Sequence, residues 1–434
     1  MRIAYVSAGA AGMLCGSCLH DNTLAAALQR MGHDAVLIPT YTPLRTDEAD
    51  VSLPEVYYGA INIYLQQKSA LFRATPRFID RWLDAPGLLD WAGRRGSATV
   101  NADELGDLTV AMLQGEDGPQ RKELRRLVSW LADEFRPEIV HLTNSMFLGL
   151  AAPLRRALGV PIVCSLQGED LFLDSLGEPH EARVLEALRS KAGDADAYVA
   201  SSAEFAGRMG EWLGIPAAKI TPVGLGLNLD GHGPDAAVRD KGRFTIGYMA
   251  RICPEKGLHH LVEALAILAA APGGERVRVR AAGYLGARDR PWFAGVQARV
   301  KALNLDDRFE YLGEVDRAGK IRFLQSLDVM SVPTVYRESK GRSVLEALAN
   351  AVPVVQPRHG SFPEMVEATG GGLLFDPGDP RALAAALVSL RDDPARRDAL
   401  ASSGHAAVRV RYSDTAMAER TLEVYRAALA RGRS

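Results

Sequence analysis

The chain has 434 residues, 47% of them hydrophobic and 24% charged, with a formal net charge of −2 at pH 7. That length exceeds a single core and suits two domains of roughly 150–220 residues each, and the near-neutral charge supplies no basic field for nucleic acid. No run of about 18 apolar residues could span a bilayer, and four cysteines make no disulfide framework in a chain of this size.

The opening MRIAYVSAGAAG reads as a short strand entering glycines, without the apolar core and cleavage site of a signal peptide. The expected compartment is the cytoplasm, with peripheral contact at the inner membrane face left open. Residues 3–7 (IAYVS) form the strand, residues 8–17 a Gly/Ala-rich loop, residues 22–31 a helix stopped by Gly32, and residues 35–39 (AVLIP) a second strand. Strand, glycine-rich turn, helix and strand make the first unit of a doubly wound parallel sheet. Further strands are expected at 138–142, 161–166 and 197–200, with a helix at 121–135. Residues 40–120 break the rhythm and read as an insertion whose basic and aromatic part includes Phe72, Arg73, Phe78, Arg81, Trp82, Trp91, Arg94 and Arg95. Helices packed on the first domain account for it; an acceptor-binding or membrane-surface patch is the alternative.

A Gly/Pro/Asp-rich stretch around 226–241 reads as a linker. Strands then recur at 244–250, 277–282, 309–312, 328–332 and 352–356, and helices at 257–270, 292–303, 318–325 and 343–350. A closing helical region follows from 380 to 430. The fold class is therefore α/β, with a first domain at 1–225 and a second at 242–405.

Two clusters carry chemistry. Arg251-Ile-Cys-Pro-Glu-Lys256-Gly257 follows a strand and opens a helix. Pro254 suits the first helical turn, and two cations beside unpaired N–H groups form an anion site matched to a diphosphate. They can also stabilise a departing nucleoside diphosphate without a metal, so no cofactor is expected. The second cluster runs from Tyr336 through Glu338, Gly341 and Ser343 to Glu346. With Glu338 in the loop and Glu346 in the helix, both carboxylates can border one pocket and accept from the vicinal hydroxyls of ribose or hexose. Ser343-x-x-Glu346 equally matches a capping box, and spacing alone leaves both readings open.

These motifs, in this order, resemble glycosyltransferase family four, retaining enzymes of GT-B architecture in which two Rossmann-like domains face across a cleft. The family's G-x(3)-R-x(4)-K-G and E-x(7)-E patterns are matched by Gly247, Arg251, Lys256, Gly257, Glu338 and Glu346; Gly313–Val315 (GEV), AVPVV and GLLFDPGDP also fit. The resemblance implies that Arg251 and Lys256 bind the donor diphosphate, Glu338 the sugar and Glu346 the ribose, with Gly16, Val315, Gly341 and Ser343 also lining the donor site. Arg251, Lys256 and Glu338 would carry catalysis. Residues 406–434 would form a helix crossing back to the first domain.

The first half departs from the family in places. Cys15-Gly16 stands where a Gly-Gly pair is usual, Thr143 where the strand after His141 ends in a second His, and Gln167 where a His contacts the transferred sugar. Gln167 donates a hydrogen bond but carries no proton. His20, His141 and Gln167 are the candidates for contacts with acceptor or sugar, although His20 also reads as an ordinary helix-start residue. The implied reaction moves a sugar from a nucleoside-diphosphate sugar to a hydroxyl of a carbohydrate, a small molecule or a lipid-linked acceptor, with retention. A catalytically silent GT-B protein that binds nucleotide sugar or carbohydrate is the alternative. A dinucleotide-dependent dehydrogenase fits poorly, because the first loop lacks G-x-G-x-x-G and no acid closes the second strand. Cys15-Gly-Ser-Cys18 lacks partners for a zinc set, and the adjacent His259 and His260 read as surface and packing residues.

Overall fold

The computed structural model describes residues 1–9, 16–57, 102–174, 176–235, 237–240 and 242–432. Most of the basic and aromatic insertion, including every aromatic and arginine named from it, lies outside these residues. The chain divides into two units, Met1–Gly226 with Asp414–Ser434, and Leu227–Ser413.

The first unit holds a six-stranded parallel sheet in the order β2-β1-β3-β4-β5-β6. Its strands are β1 (Arg2–Ser7), β2 (Asp34–Pro39), β3 (Ile139–Leu142), β4 (Ile162–Leu166), β5 (Ala197–Ala200) and β6 (Ile220–Pro222). Strand period 2 sorts each strand's side chains onto two faces. Ile3, Tyr5, Leu37 and Ile139 enter one core, while Ala4, Val6, Ile38 and Val140 enter the other. Both faces are covered, which explains why β3, β4 and β5 are buried at every position and mostly apolar.

The Asp414–Arg431 helix belongs to this unit. It lays Met417, Ala418, Leu422, Tyr425 and Ala428 on the Ile3/Tyr5 face beside Leu24 and Leu28 of the Gly16–Arg30 helix. An Arg30–Asp414 ion pair joins the two helices at the surface.

The second unit repeats the plan with β7 (Phe244–Met249), β8 (Val277–Ala282), β9 (Phe309–Tyr311), β10 (Val329–Met330), β11 (Val354–Pro357) and β12 (Gly372–Phe375). All are parallel in the order β12-β11-β10-β7-β8-β9. The chain builds outward from β7 through β9, then returns to β10 on β7's other side. Strand order thus reverses between β7 and β10, and in open α/β sheets a crevice forms at the carboxyl ends of such a pair.

The closing helical region breaks into Pro380–Asp392, Pro394–Arg411 and Asp414–Arg431. Asp379 and Asp393 cap the first two, each followed by Pro at the first helical position. No described helix is long and apolar enough to cross a membrane.

Candidate active site

Both chemistry-bearing clusters of the second unit leave the sheet at the switch point, one after β7 and one after β10. Gly257 allows the two loops to touch. Its φ is +74°, and a Cβ there would lie 1.8 Å from the Pro333 carbonyl oxygen, so only glycine fits without displacing backbone. The Val335 N–H donates to the Glu255 carbonyl at 2.9 Å and closes the contact.

Across this junction Lys256 Nζ donates to Glu338 Oε2 at 2.6 Å and to the Tyr336 hydroxyl at 2.5 Å, while Tyr336 donates to the same carboxylate oxygen at 2.7 Å. The Lys340 N–H donates to Glu338 Oε1 at 3.2 Å. Burial pushes the Glu338 carboxyl up, but the Lys256 ammonium and these hydrogen bonds outweigh it and hold the group down to about 2. Burial and Glu338 push the Tyr336 phenol up, so it remains the donor. Gly360 backs the carboxylate's main chain: a Cβ there would meet the Glu338 carbonyl oxygen at 2.4 Å.

Arg251 differs from Lys256. Its Nε donates to Cys253 Sγ at 3.2 Å, Glu255 lies 3.9 Å away, and its side chain is 57% exposed. The stem is anchored and the terminal nitrogens remain presented to solvent.

Glu346 lies in the Arg342–Ala349 helix and is buried. Its Oε1 receives Lys320 Nζ at 2.8 Å and Arg342 Nε at 3.2 Å. Burial raises the carboxyl, and the two cations bring it down to about 2. The capping box is not formed, because the helix starts from Gly341 with no side-chain cap and Glu346 is drawn to Lys320 instead. Ser343 follows in the first turn of this helix. Val315 is half-buried in the loop after β9, one residue before Asp316, which caps the Arg317–Gln325 helix.

In the first unit the order reverses between β1 and β3, and a buried acid sits at the carboxyl ends of these strands. Asp21 Oδ1 accepts from the Tyr5 hydroxyl at 2.6 Å and Gln167 Nε2 at 2.8 Å; Oδ2 accepts from Ser7 at 2.7 Å and Thr143 at 2.6 Å. Burial pushes the Asp21 carboxyl up against these four donors. Gln167 Nε2 also donates to the Thr143 carbonyl at 2.8 Å, which leaves Oε1 without a partner among the described residues. His20 is buried one residue from Asp21. Gly16 is exposed at the start of the same helix.

His141 requires a correction. It is 0% exposed, stacked on Tyr5 at 4.3 Å, with Nδ1 2.5 Å from the Tyr425 hydroxyl and Nε2 2.8 Å from Ser165 Oγ. Burial holds it down to about 3. It is a neutral packing residue with no surface to offer a ligand. Cys18 packs in the core, and Cys15 lies outside the described residues. The His259 and His260 rings lie 4.1 Å apart and tilted by 39°, with His259 edge-on to Trp292.

Sequence reasoning did not single out Tyr336, Lys320 or Asp21 as site residues. Tyr336 was visible in the loop motif. A lone lysine or aspartate on a helix carries no signal, because its partners are distant in sequence.

The family profile described as Glycosyl transferases group 1 matches residues 234–406, and that described as Glycosyl transferase 4-like domain matches residues 22–226. The chain is 26% identical over 414 residues to a glycogen synthase of Mycobacterium tuberculosis, covering 94% of this chain and 90% of that one. It is 29% identical over 290 residues to the 2-deoxystreptamine glucosyltransferase of Streptomyces kanamyceticus, covering 63% and 71%. Among solved structures, Anabaena Alr3699/HepE in complex with UDP-glucose superposes with a TM-score of 0.67 at 18% identity, covering 98% of this chain and 100% of that one. The chain belongs to the glycosyl transferases group 1 family and has the GT-B fold. It is a retaining glycosyltransferase that uses a nucleotide-sugar donor.

Proposed function

We propose that the second unit binds the donor, with the diphosphate on Arg251, Lys256 and the uncapped helix start at Gly341 and Ser343. Glu338 accepts from hydroxyls of the transferred sugar and Glu346 from those of the ribose. Val315 lines the same donor site. The observation that carries this reading is the Lys256–Tyr336–Glu338 junction, which joins the two loops at the β7/β10 switch point. A phosphate there meets an ammonium, a guanidinium and the positive end of the helix that starts after Gly341. As the sugar–phosphate bond breaks, charge grows on the leaving diphosphate, and fixed cations stabilise that state more than the ground state.

The first unit then binds the acceptor, a hydroxyl compound of carbohydrate, small-molecule or lipid-linked type. The two relatives above differ in this respect, one named for 2-deoxystreptamine and one for glycogen. Gln167 and His20, beside Asp21, are the groups of this unit nearest to such a role, with Gly16 at the mouth of the same helix. The HepE complex makes a UDP-sugar the first donor to try.

Thermal-shift titration with UDP, GDP and ADP and with their glucose and mannose esters tests the sugar assignment. A ligand at one hundred times its dissociation constant stabilises by about 2.7 kcal/mol. Glu338→Gln is expected to keep the nucleoside-diphosphate shift and lose the extra shift that the sugar adds. A variant that retains the full preference for the sugar ester removes Glu338 from the donor site.

A further inference from the structure

Lys320 has no counterpart in the motifs that define the donor site, yet it reaches Glu346 from a separate element. It sits in the Arg317–Gln325 helix, 9% exposed, with Nζ 2.8 Å from Glu346 Oε1. Arg342 approaches the same oxygen at 3.2 Å from the first turn of Glu346's own helix. Two cations therefore converge on one oxygen, while Oε2 has no hydrogen bond among the described residues.

Stability is a poor reason for this arrangement. Taking an ammonium out of water costs several kcal/mol, and a buried ion cluster is often no better than apolar residues of equal volume. What the cluster does supply is direction. A glutamate held at one oxygen by two donors from different helices cannot rotate its carboxylate, so the second oxygen points one way with both lone pairs available. The far end of the helix is fixed as well. Asn350 Nδ2 donates to the Glu346 carbonyl at 2.8 Å and to His232 Nδ1 at 2.9 Å, and burial holds His232 down to about 4. The imidazole is thus a neutral acceptor at pH 7.

We propose that Lys320 is a positioning residue for donor recognition: it fixes Glu346 so that Oε2 accepts from a ribose hydroxyl, and so sets the discrimination between ribose and deoxyribose nucleotides. This rests on the assignment of Glu346 to the ribose, and the test separates the two.

The experiment uses the full chain and whichever of UDP, GDP and ADP stabilises it most, together with the 2′-deoxy form of that nucleotide. The wild type is expected to favour the ribose form by on the order of tenfold, the size of one hydrogen bond to a charged acceptor. Glu346→Gln should reduce that ratio to near unity; an unchanged ratio there overturns the ribose assignment itself. Lys320→Met should collapse the ratio as well, with a raised KM for donor and kcat changed far less, and Lys320→Arg should restore it. Should the methionine variant fail to fold, Lys320→Gln carries the same expectation of a reduced ratio. If Glu346→Gln loses discrimination while the Lys320 variants keep it and only melt earlier, Lys320 is structural alone and the proposal falls.

Discussion

Arg251 and Lys256 differ as residues, and the difference predicts distinct phenotypes. Arg251 bonds the buried Cys253 only through its sulfur, a weak acceptor, so Arg251→Ala should remove donor affinity and leave the melting temperature close to wild type. Lys256→Ala removes the ammonium from a carboxylate that is 9% exposed, and breaking such a pair typically costs about 3–5 kcal/mol. Chemical denaturation should therefore show Lys256→Ala strongly destabilised, with Lys256→Met/Glu338→Gln recovering much of the loss. A double variant as unstable as the single one would mean that the pair is not coupled. Arg251, Lys256, Glu338 and Glu346 stood out in the sequence as parts of two motifs, each between a strand and a helix. The fate of Glu346 did not: Ser343-x-x-Glu346 is a sound local capping pattern, and it lost to Lys320, a partner 26 positions away.

Elements show the same division between local and distant causes. Helix caps at Asp379-Pro380 and Asp393-Pro394 are readable as letters, and the long apolar strands announce themselves. β6 was missed because three residues ending in proline carry no pattern, and β12 because GLLF is half-exposed and framed by glycines. The Asp414–Arg431 helix covers one face of the first unit's sheet. Its Tyr425 hydroxyl bonds His141 inside the core, so Tyr425→Phe leaves a buried imidazole nitrogen without its partner. The expected loss is about 1–3 kcal/mol in denaturant unfolding, and an unchanged midpoint would contradict the burial described. At the loop junction Gly257→Ala should weaken donor binding more than alanine at exposed Gly295, where nothing lies within 4 Å of an added Cβ.

For the whole molecule, buried titratable groups fix how stability responds to acid. His141 is held down to about 3 by burial, whereas an unfolded chain titrates histidine near ~6.5. Below that value the unfolded state takes up a proton that the folded state refuses. Stability should therefore start to fall as pH drops through about 6.5, by up to about 1.4 kcal/mol per unit from this residue. Glu338 and Glu346, held at about 2, add a second loss between their unfolded range near ~4.3 and pH 2. Asp21 has the opposite sign, since its raised pKa favours the folded state only at low pH. Urea unfolding at stepped pH reads the sum, and a flat profile between pH 6.5 and 4.5 would contradict a neutral, enclosed His141.

The proposed grip of the second unit on a diphosphate is measured most directly by calorimetric titration of the preferred nucleoside diphosphate into wild type and Arg251→Ala. A charge-assisted contact worth about 2.7 kcal/mol corresponds to a hundredfold change in Kd. Weakening of that order, with the melting temperature held, is the predicted result. Equal affinities in the two proteins would contradict it.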